Sequence, residues 1–351
     1  MRILFFINKL YGGGAERVAS ILMNHLCENH DITAVVFDDQ EKSYQINSYI
    51  PIHNIAISNK SRIFRLVNRL GKIRKEIKEN SPDIIISFLT PVNIYVLTAS
   101  LFLRRKIIIS ERNTLNRVKS RLVRLARKIT YPLANKIVFV TNSDCRDFGL
   151  PQKSLTIYNP AVLVPFGNYD NRQNTIITIA PDDRWYNKGL DVLIKAWAKI
   201  VSNNPDWTLE ICGRIHNVKL PDGITIQNQD RVKWTGWTDN IAETLRTKSI
   251  FVLASRFEGC PNSLIEAMSQ GCACLGTDCE GGIKEIITDG TDGLMAKNGD
   301  ADDLAIKLQL LIDDENLRHQ LSAGAIEKVK QFDKNTFFAQ WENLISETVA
   351  E

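Results

Sequence analysis

Residues 255–271 read Ser-Arg-Phe-Glu-Gly-Cys-Pro-Asn-Ser-Leu-Ile-Glu-Ala-Met-Ser-Gln-Gly. They follow an apolar run at 250–254 that has the length and composition of a buried parallel strand. Pro261 stands where a helix favours proline, in its first turn. The sequence therefore predicts a strand, a turn and a helix in succession, as in parallel α/β folds.

This junction carries groups that suit an anionic ligand. The first backbone N–H groups of the helix, at Asn262, Ser263 and Leu264, would point out of the carboxyl edge of the sheet, where the helix dipole favours an anion such as a diphosphate. Glu258 lies in the turn, and Glu266 lies about two helical turns into the helix, facing the same cleft. By themselves, two Glu residues at this spacing would be assigned to a solvated surface.

Strand and helix signals alternate along both halves of the chain. Strand-like apolar runs recur at 2–7, 32–37, 83–88, 106–110, 136–140, 175–180, 207–212, 231–236 and 272–276. Helical patterns separate most of them, which predicts an α/β protein with doubly wound parallel sheets. The polar stretch 167–174 has the composition of a linker. We therefore expect one domain over 1–166, a second over 167–334, and a last amphipathic helix over 335–351.

A glycine-rich loop follows the first strand. Residues 12–17 read Gly-Gly-Gly-Ala-Glu-Arg and open a helix, an arrangement typical of a phosphate site or of close backbone approach. The loop lacks both the Walker Gly-Lys-Ser/Thr and the Gly-x-Gly-x-x-Gly spacing. Asp38 and Asp39, after the second strand, could still serve as the ribose-binding acid of a dinucleotide fold. A nicotinamide-dependent enzyme therefore remains an alternative.

The charge of the chain is distributed unevenly. Residues 1–165 contain 25 Lys and Arg against 12 Asp and Glu, whereas the remainder contains 19 against 28, for a net charge of +4. No apolar run reaches the roughly 20 residues that a membrane-spanning helix needs, and the chain enters a strand at once. We expect a cytoplasmic protein, peripheral on the inner face of the cytoplasmic membrane.

Two predicted helices concentrate this basic charge, at 61–78 and at 116–130. Both mix Lys and Arg with apolar residues, as helices that lie on anionic bilayers do. A packed helix with a solvated charged face is the alternative. No nucleic-acid-binding motif accompanies the charge, so we expect no nucleic-acid partner.

Four segments resemble the retaining glycosyltransferases of family 4, which have the GT-B fold and build bacterial surface polysaccharides. The stretch 255–271 resembles their E-x7-E region, and residues 13–17 resemble their first loop. Residues 281–285 resemble their Gly-Gly-x-x-Glu turn. Residues 184–189 resemble their Arg-x4-Lys-Gly element, except that Arg184 stands one place later than the family pattern.

The resemblance implies two Rossmann-like domains that face a cleft, with a last helix packed back across the domain junction. The N-terminal domain would bind the acceptor and the C-terminal domain a nucleotide sugar. A hexose or N-acetylhexosamine would pass with retention to a glycan acceptor, in O-antigen, capsule or exopolysaccharide assembly. The resemblance favours UDP over GDP as the carrier. The basic charge of the N-terminal half favours a lipid-diphosphate-linked acceptor. A nucleotide-sugar epimerase or a binding module without activity could share the same fold.

Residue roles follow from the same resemblance. Lys188 and Arg184 would bind the donor diphosphate, Glu258 the sugar near its reacting carbon, and Glu266 the ribose diol. The rest of the donor site would comprise Gly259, Cys260, Pro261, Asn262, Ser263, Leu264, Gly213 and Arg214. The acceptor and diphosphate loops would comprise Gly13, Gly14, Glu16, Arg17, Glu111, Arg112 and Asn113, although no histidine occupies the position where the family often has one.

We expect neither a cofactor nor a metal ion. Residues 300–302 read Asp-Ala-Asp and superficially match a metal-binding motif of another transferase fold. They stand at the start of a predicted helix, so helix capping is the better explanation.

Overall fold

The computed structural model describes residues 1–38, 44–57, 61–113, 115, 118, 120–161, 172–180, 184–213, 231–238 and 240–351. The chain divides into two compact units, Met1–Asn159 with Asn335–Glu351, and Pro160–Lys334. The predicted boundary at 166 and most of the predicted linker lie outside the described residues.

The first unit contains a parallel sheet with helices on both faces. Its strands are β1 (Arg2–Ile7), β2 (Asp31–Val36), β3 (Ile52–Asn54), β4 (Ile84–Phe88), β5 (Lys106–Ser110), β6 (Lys136–Phe139) and β7 (Ser154–Thr156). Its helices include α1 (Gly14–Leu26), α2 (Arg62–Asn80), α3 (Thr90–Ala99), α4 (Arg121–Thr130) and α5 (Asn142–Phe148). The strand order is β3-β2-β1-β4-β5-β6-β7, so the direction of winding reverses between β1 and β4.

The second unit repeats this plan. Its strands are β8 (Gln173–Ile179), β9 (Thr208–Cys212), β10 (Val232–Gly236), β11 (Lys248–Leu253), β12 (Phe257–Glu258), β13 (Ala273–Thr277), β14 (Glu280–Gly281) and β15 (Leu294–Ala296). Its helices include α6 (Leu190–Ile200), α7 (Ile241–Arg246), α8 (Asn262–Ser269), α9 (Ile283–Ile286), α10 (Ala301–Asp313) and α11 (Glu315–Val329). The main sheet has the order β10-β9-β8-β11-β13-β15 and reverses between β8 and β11.

Alternation along the strands supplies a core on each face of the first sheet. Ile3, Phe5 and Ile7 of β1 join one buried cluster, and Leu4 and Phe6 join the other. A strand covered on both faces needs apolar residues at successive positions, which is why its sequence is a continuous apolar run. The predicted doubly wound parallel sheets are confirmed.

The last helix, α12 (Lys334–Ala350), belongs to the first unit. Phe337, Trp341, Leu344 and Ile345 are buried in the cluster that contains Phe5. Phe338, only partly buried, stacks on the ring of His25 at 3.9 Å between centroids. The apolar stripe of this helix therefore completes one face of the first sheet.

Some predicted boundaries were wrong. The second basic helix begins at Arg121 and not at 116, because Ser120 caps it by accepting a hydrogen bond from the Val123 amide. The short strand β3 had not been predicted. Among the described residues, no helix has both the length and the apolar content needed to cross a bilayer.

Candidate functional site

Two loops of the second unit leave the sheet at the point where its winding reverses. The loop after β8 carries Lys188, and the loop after β11 carries Glu258. Ligands of open α/β sheets bind outside the carboxyl ends of the strands at such a point. The topology therefore places two of the predicted site residues where a ligand of this fold is expected.

Lys188 and Glu258 are in direct contact. The Lys188 ammonium donates to Glu258 Oε1 at 2.7 Å, and the Ser255 hydroxyl donates to the same oxygen at 2.7 Å. Both side chains of the ion pair are mostly buried but keep access to solvent. Such a charge-assisted bond fixes the positions of both groups. The Lys188 ammonium remains partly accessible to solvent, so a second anion could also bind to it.

Gly189 lets these two loops approach each other. Its φ is +61°, and a Cβ atom there would stand 1.9 Å from the carbonyl oxygen of Ala254. Only glycine avoids both the left-handed backbone strain and this clash. The backbone of Arg256 also donates to the Asn187 carbonyl at 2.8 Å, so the loops are joined beside Lys188.

A second ion pair, which had not been predicted, joins the same loops. Arg256 donates from Nη1 to Asp191 Oδ1 at 2.8 Å and from Nη2 to Oδ2 at 2.7 Å, and its guanidinium lies 4.2 Å from the Tyr186 ring centroid. Burial raises the pKa of Asp191, but the bonds and charge of Arg256 outweigh it and hold that pKa below its ordinary value. The two residues are far apart in sequence, so no local pattern could have revealed the pair.

The loop that carries Glu258 is also held from its other side. β12 pairs in parallel with β14, which sets Glu258 opposite Gly281. The Gly282 amide donates to the Gly259 carbonyl at 2.7 Å. The Gly-Gly turn at 281–282 thus supports the Glu258 segment, and Gly281 has a φ of +117° that favours glycine.

Helix α8 differs in detail from its prediction. Pro261 is the N-cap, and the helix begins at Asn262. The Leu264 amide donates to the Pro261 carbonyl at 3.0 Å, so it already has a partner within the chain, contrary to the expectation that it would be free for an anion. Glu266 is buried, whereas Cys260, Asn262 and Ser263 are half-buried.

The other residues predicted for the donor site are Gly213, Arg184 and Arg214. The Gly213 amide donates to the Gly236 carbonyl at 2.8 Å, and the Gly213 carbonyl accepts from Trp234 Nε1 at 2.7 Å. Arg184 is exposed at the start of the Lys188 loop. Arg214 lies outside the described residues.

In the first unit, the glycine loop leads directly into α1. Gly13 is the N-cap of that helix, and its carbonyl accepts from the Tyr44 hydroxyl at 3.0 Å. A Cβ at Gly13 would meet the carboxylate of Glu16, which is buried, so the glycine makes room for it. Arg17 is half-buried, and Gly14 is exposed.

The acids of the dinucleotide alternative follow the second strand. Asp38 accepts from the Tyr11 hydroxyl at 2.6 Å, so this carboxylate is engaged within its own unit. Asp39 lies outside the described residues.

The second predicted loop of this unit, at 111–113, contains a fully buried carboxylate. Glu111 accepts from the hydroxyls of Thr90, at 2.8 Å, and Tyr131, at 2.6 Å, and from the Asn113 amide at 3.1 Å. Burial nevertheless raises the pKa of Glu111 above its ordinary value. Arg112, also buried, donates to Asn159 Oδ1 at 2.6 Å. Glu111 therefore anchors the loop 111–113 to Thr90 and Tyr131 inside the first unit.

The Asp-x-Asp string caps a helix, as expected. Asp300 accepts from the amides of Asp302 and Asp303 at the start of α10, and Asp302 pairs with Lys199. Within the part of the chain that the structure describes, no three His, Cys, Asp or Glu side chains come together as metal ligands would.

Comparison with known sequences identifies the family of both halves. The model described as Glycosyltransferase Family 4 matches residues 12–161, and that described as Glycosyl transferases group 1 matches residues 167–328. The chain belongs to family 4 of the glycosyltransferases. The resemblance seen in the sequence is thus confirmed. Together, the two matches cover most of this family 4 protein.

Two relatives of this family 4 glycosyltransferase come from Campylobacter jejuni. One is the GalNAc-alpha-(1->4)-GalNAc-alpha-(1->3)-diNAcBac-PP-undecaprenol alpha-1,4-N-acetyl-D-galactosaminyltransferase, 27% identical over 99% of both chains. The other is the N-acetylgalactosamine-N,N'-diacetylbacillosaminyl-diphospho-undecaprenol 4-alpha-N-acetylgalactosaminyltransferase, 26% identical over 94% of this chain and 95% of that one.

Comparison with solved structures confirms the fold class. Anabaena HepE in complex with UDP matches with a TM-score of 0.83 at 18% identity, over 99% of this chain and 100% of that one. The GT-B architecture of two Rossmann-like domains, predicted from the sequence, is therefore shared.

Proposed function

We propose that this glycosyltransferase moves a hexose or N-acetylhexosamine from a UDP-linked donor to a lipid-diphosphate-linked glycan, with retention and without a metal ion. The Lys188–Glu258 ion pair at the reversal point of the second sheet carries the proposal, because it sets a cation beside a carboxylate at 2.7 Å. Transfer from a nucleoside diphosphate needs both charges, one for the leaving group and one for the reacting carbon.

The chemistry follows from these two charges. As the bond between the anomeric carbon and the diphosphate breaks, Lys188 neutralises the departing oxygens and Glu258 stabilises the positive charge that develops on the sugar. The acceptor hydroxyl attacks from the side that the diphosphate leaves, and its proton passes to a diphosphate oxygen. The new bond therefore forms on the face of the old one, which is retention.

Other groups would position the donor. The Ser263 amide in the first turn of α8 and the exposed Arg184 would bind the diphosphate, and Glu266 would bind the ribose diol. Arg256 would contribute indirectly, because its bonds to Asp191 and to the Asn187 carbonyl hold the Lys188 loop against the Glu258 loop. These roles leave positioning and electrostatics as the main sources of rate.

The donor and acceptor classes are supported by relatives. HepE was solved with UDP, and both Campylobacter relatives are named for undecaprenol-linked acceptors and for α-linked N-acetylgalactosamine. Surface-polysaccharide or lipid-linked oligosaccharide assembly is therefore the setting that we propose, on the inner face of the cytoplasmic membrane.

Calorimetric titration with UDP, GDP and uridine, in EDTA, tests the proposal. We expect UDP to bind without a metal. Lys188→Met should weaken UDP binding by about tenfold or more, since a charge-assisted bond is lost, and leave uridine binding unchanged. The matched control is Lys284→Met, at an exposed lysine of the same unit. A folded protein that binds neither nucleotide would refute the transferase proposal.

Glu258→Gln separates binding from transfer. The free ammonium of Lys188 and the loss of a nearby negative charge should raise UDP affinity several-fold. Transfer to an undecaprenyl-diphosphate-linked glycan should fall on the order of a hundredfold, because the carboxylate that stabilises the transition state is gone. Lower UDP affinity would contradict the assigned geometry. Proton NMR of the first product would give its anomeric configuration, and inversion would exclude the mechanism.

A further inference from the structure

Large apolar side chains of the first unit are exposed on two basic helices, α2 and α4, which pack on opposite sides of α3. The first turns of α2, together with α4, form a surface that we call the apolar–basic face. Its exposed apolar residues are Ile63, Phe64, Leu66, Val67, Leu122, Leu125 and Ile129. Ile63 is 75% exposed and Leu122 is 79% exposed. Contiguous exposed apolar groups on a soluble domain indicate an interaction surface, whereas single ones do not.

Helix α2 changes character along its length. Ile73 and Ile77, in its second half, are buried in the core beneath α2 and α3. In its first half, Ile63, Phe64, Leu66 and Val67 stand at positions i, i+1, i+3 and i+4, so they share one side of the helix, and all four are exposed. The first half of α2 therefore presents apolar surface that the described part of this unit does not cover.

The topology places the face beside the predicted acceptor loops. α2 packs against α3, and α3 packs against α4, all on one face of the first sheet. Each helix runs opposite to the parallel strands, so the first turns of α2 and α4 lie at the carboxyl edge. The loops that carry Gly13 and Glu111 leave the sheet at that same edge.

The charge of the face has one sign. Arg121, Arg124 and Lys128 of α4 are exposed, and neither α4 nor residues 63–75 of α2 contain Asp or Glu. Arg65 lies between the exposed apolar residues of α2. Cations whose stems lie along apolar side chains suit a boundary where hydrocarbon meets anionic headgroups.

From this combination we infer that the apolar–basic face docks on an anionic lipid bilayer. The apolar side chains would enter the headgroup boundary, and the surrounding cations would meet lipid phosphates. A lipid-linked acceptor would then be held at the level of the Gly13 and Glu111 loops. That last step rests on the proposed function, whereas the docking itself is measurable without catalysis.

Vesicle flotation of the full chain tests the inference. We expect flotation with phosphatidylcholine vesicles that contain phosphatidylglycerol, much less with phosphatidylcholine alone, and a decline as salt rises. Arg121→Gln with Arg124→Gln and Lys128→Gln should lower the partition coefficient on the order of a hundredfold at low salt. Ile63→Ser with Phe64→Ser should lower it on both vesicle types, because buried apolar area is lost.

Matched controls lie on the second unit. Ile306, 66% exposed, and Leu310 lie on α10, where acidic residues are frequent, and Ile306→Ser with Leu310→Ser should leave flotation unchanged. Lys233→Gln with Lys284→Gln controls for the loss of positive charge in general. All the substituted side chains on the face are exposed, so their removal should not unfold the protein, and circular dichroism checks this.

Three results would overturn the inference. These are flotation of the substituted proteins equal to wild type, absence of flotation on anionic vesicles, and a concentration-dependent dimer that the Ile63 and Phe64 substitutions abolish. The last would assign the face to a second copy of the chain. UDP titration in lipid-free solution is independent, so loss of vesicle binding with retained UDP binding would refute the docking alone.

Discussion

Arg256 and Asp191 form a bidentate ion pair, in which the two guanidinium Nη atoms donate to separate carboxylate oxygens at 2.8 and 2.7 Å. Asp191 lies in the first turn of α6, directly after the Lys188 loop, and Arg256 lies two residues before Glu258. The pair therefore joins the segments that hold the two charged groups of the candidate site.

Arg256→Lys should weaken this joint while it keeps the charge. Lysine cannot donate two parallel bonds in a fixed plane, so we expect UDP affinity to fall by about tenfold. Asp191→Asn should have a similar effect, and the double substitution should be hardly worse than either single one, because both remove the same interaction. Calorimetry on the three proteins measures this, and fully additive losses would show that the residues act separately.

The same pair should respond to acid. The folded pKa of Asp191 lies below its ordinary value of about 3.9, so its contribution to stability is complete above that pH and is lost as the pH falls through the folded pKa. Between pH 5 and more acidic values, the stability difference between wild type and Asp191→Asn should therefore shrink. A difference that does not change with pH would contradict the role of the ion pair.

Gly189→Ala should destabilise the second unit and displace Lys188. A Cβ atom would stand 1.9 Å from the Ala254 carbonyl oxygen, and the backbone has a φ of +61°, so we expect a loss of about 2 kcal/mol or more. Gly71→Ala, within α2 and with nothing within 4 Å of the new atom, is the control and should raise stability by about 0.5–1 kcal/mol. Thermal unfolding compares the two, and equal effects would contradict the close approach.

Glu111→Gln should destabilise the first unit by about 2 kcal/mol. The new amide group would face hydroxyl donors that now bind a carboxylate, and Arg127, 3.9 Å away, would lose its anionic neighbour. Urea unfolding measures the loss, and Glu28→Gln, at an exposed acid of the same unit, should change little.

The contribution of Glu111 to stability should depend on pH with the opposite sign to that of Asp191. Burial raises the folded pKa of Glu111, so folding favours the protonated form, and stability falls as the pH rises from the ordinary carboxyl pKa through the folded one. The advantage of wild type over Glu111→Gln should be larger at pH 4 than at pH 8. The reverse trend would mean that the carboxylate is stabilised by its donors more than burial opposes it.

Glu266→Ala should weaken UDP binding and leave the fold intact, if this carboxylate holds the ribose diol. Wild type should then prefer UDP to 2′-deoxy-UDP by about tenfold, and the variant should bind both alike. Glu243→Ala, at an exposed acid on α7, controls for loss of charge. Unchanged UDP affinity in Glu266→Ala would remove this residue from the site.

Most of the fold could be predicted, because buried parallel strands are continuous apolar runs. β4 reads Ile-Ile-Ile-Ser-Phe and is buried throughout, so both its type and its position follow from its composition. The short strand β3 was missed because its three residues, Ile-His-Asn, carry no such pattern and are not fully buried. The start of α4 was placed too early because the mixture of basic and apolar residues is the same before and after Ser120, the residue that caps the helix.

Single residues of the site could be predicted from local sequence motifs. Contacts between residues that are distant in sequence could not be predicted in this way. Lys188 and Glu258 were chosen from local patterns, and the structure brings them into contact. Arg256 was overlooked, although it stands inside the stretch 255–271, because its partner lies 65 residues away. Leu264 was assigned a free amide because a helix start normally offers one, but the Pro261 carbonyl accepts its hydrogen.

Helix α12 has a consequence for the order in which the protein is completed. Trp341 packs on Phe88 and lies in the core of the first unit, yet the whole of Pro160–Lys334 is synthesised between these two residues. Domains usually fold as they leave the ribosome, the earliest first. In this chain, all residues of the second unit are synthesised before α12, which covers one face of the first sheet. The core of the first unit can therefore be completed only after the second unit has been synthesised.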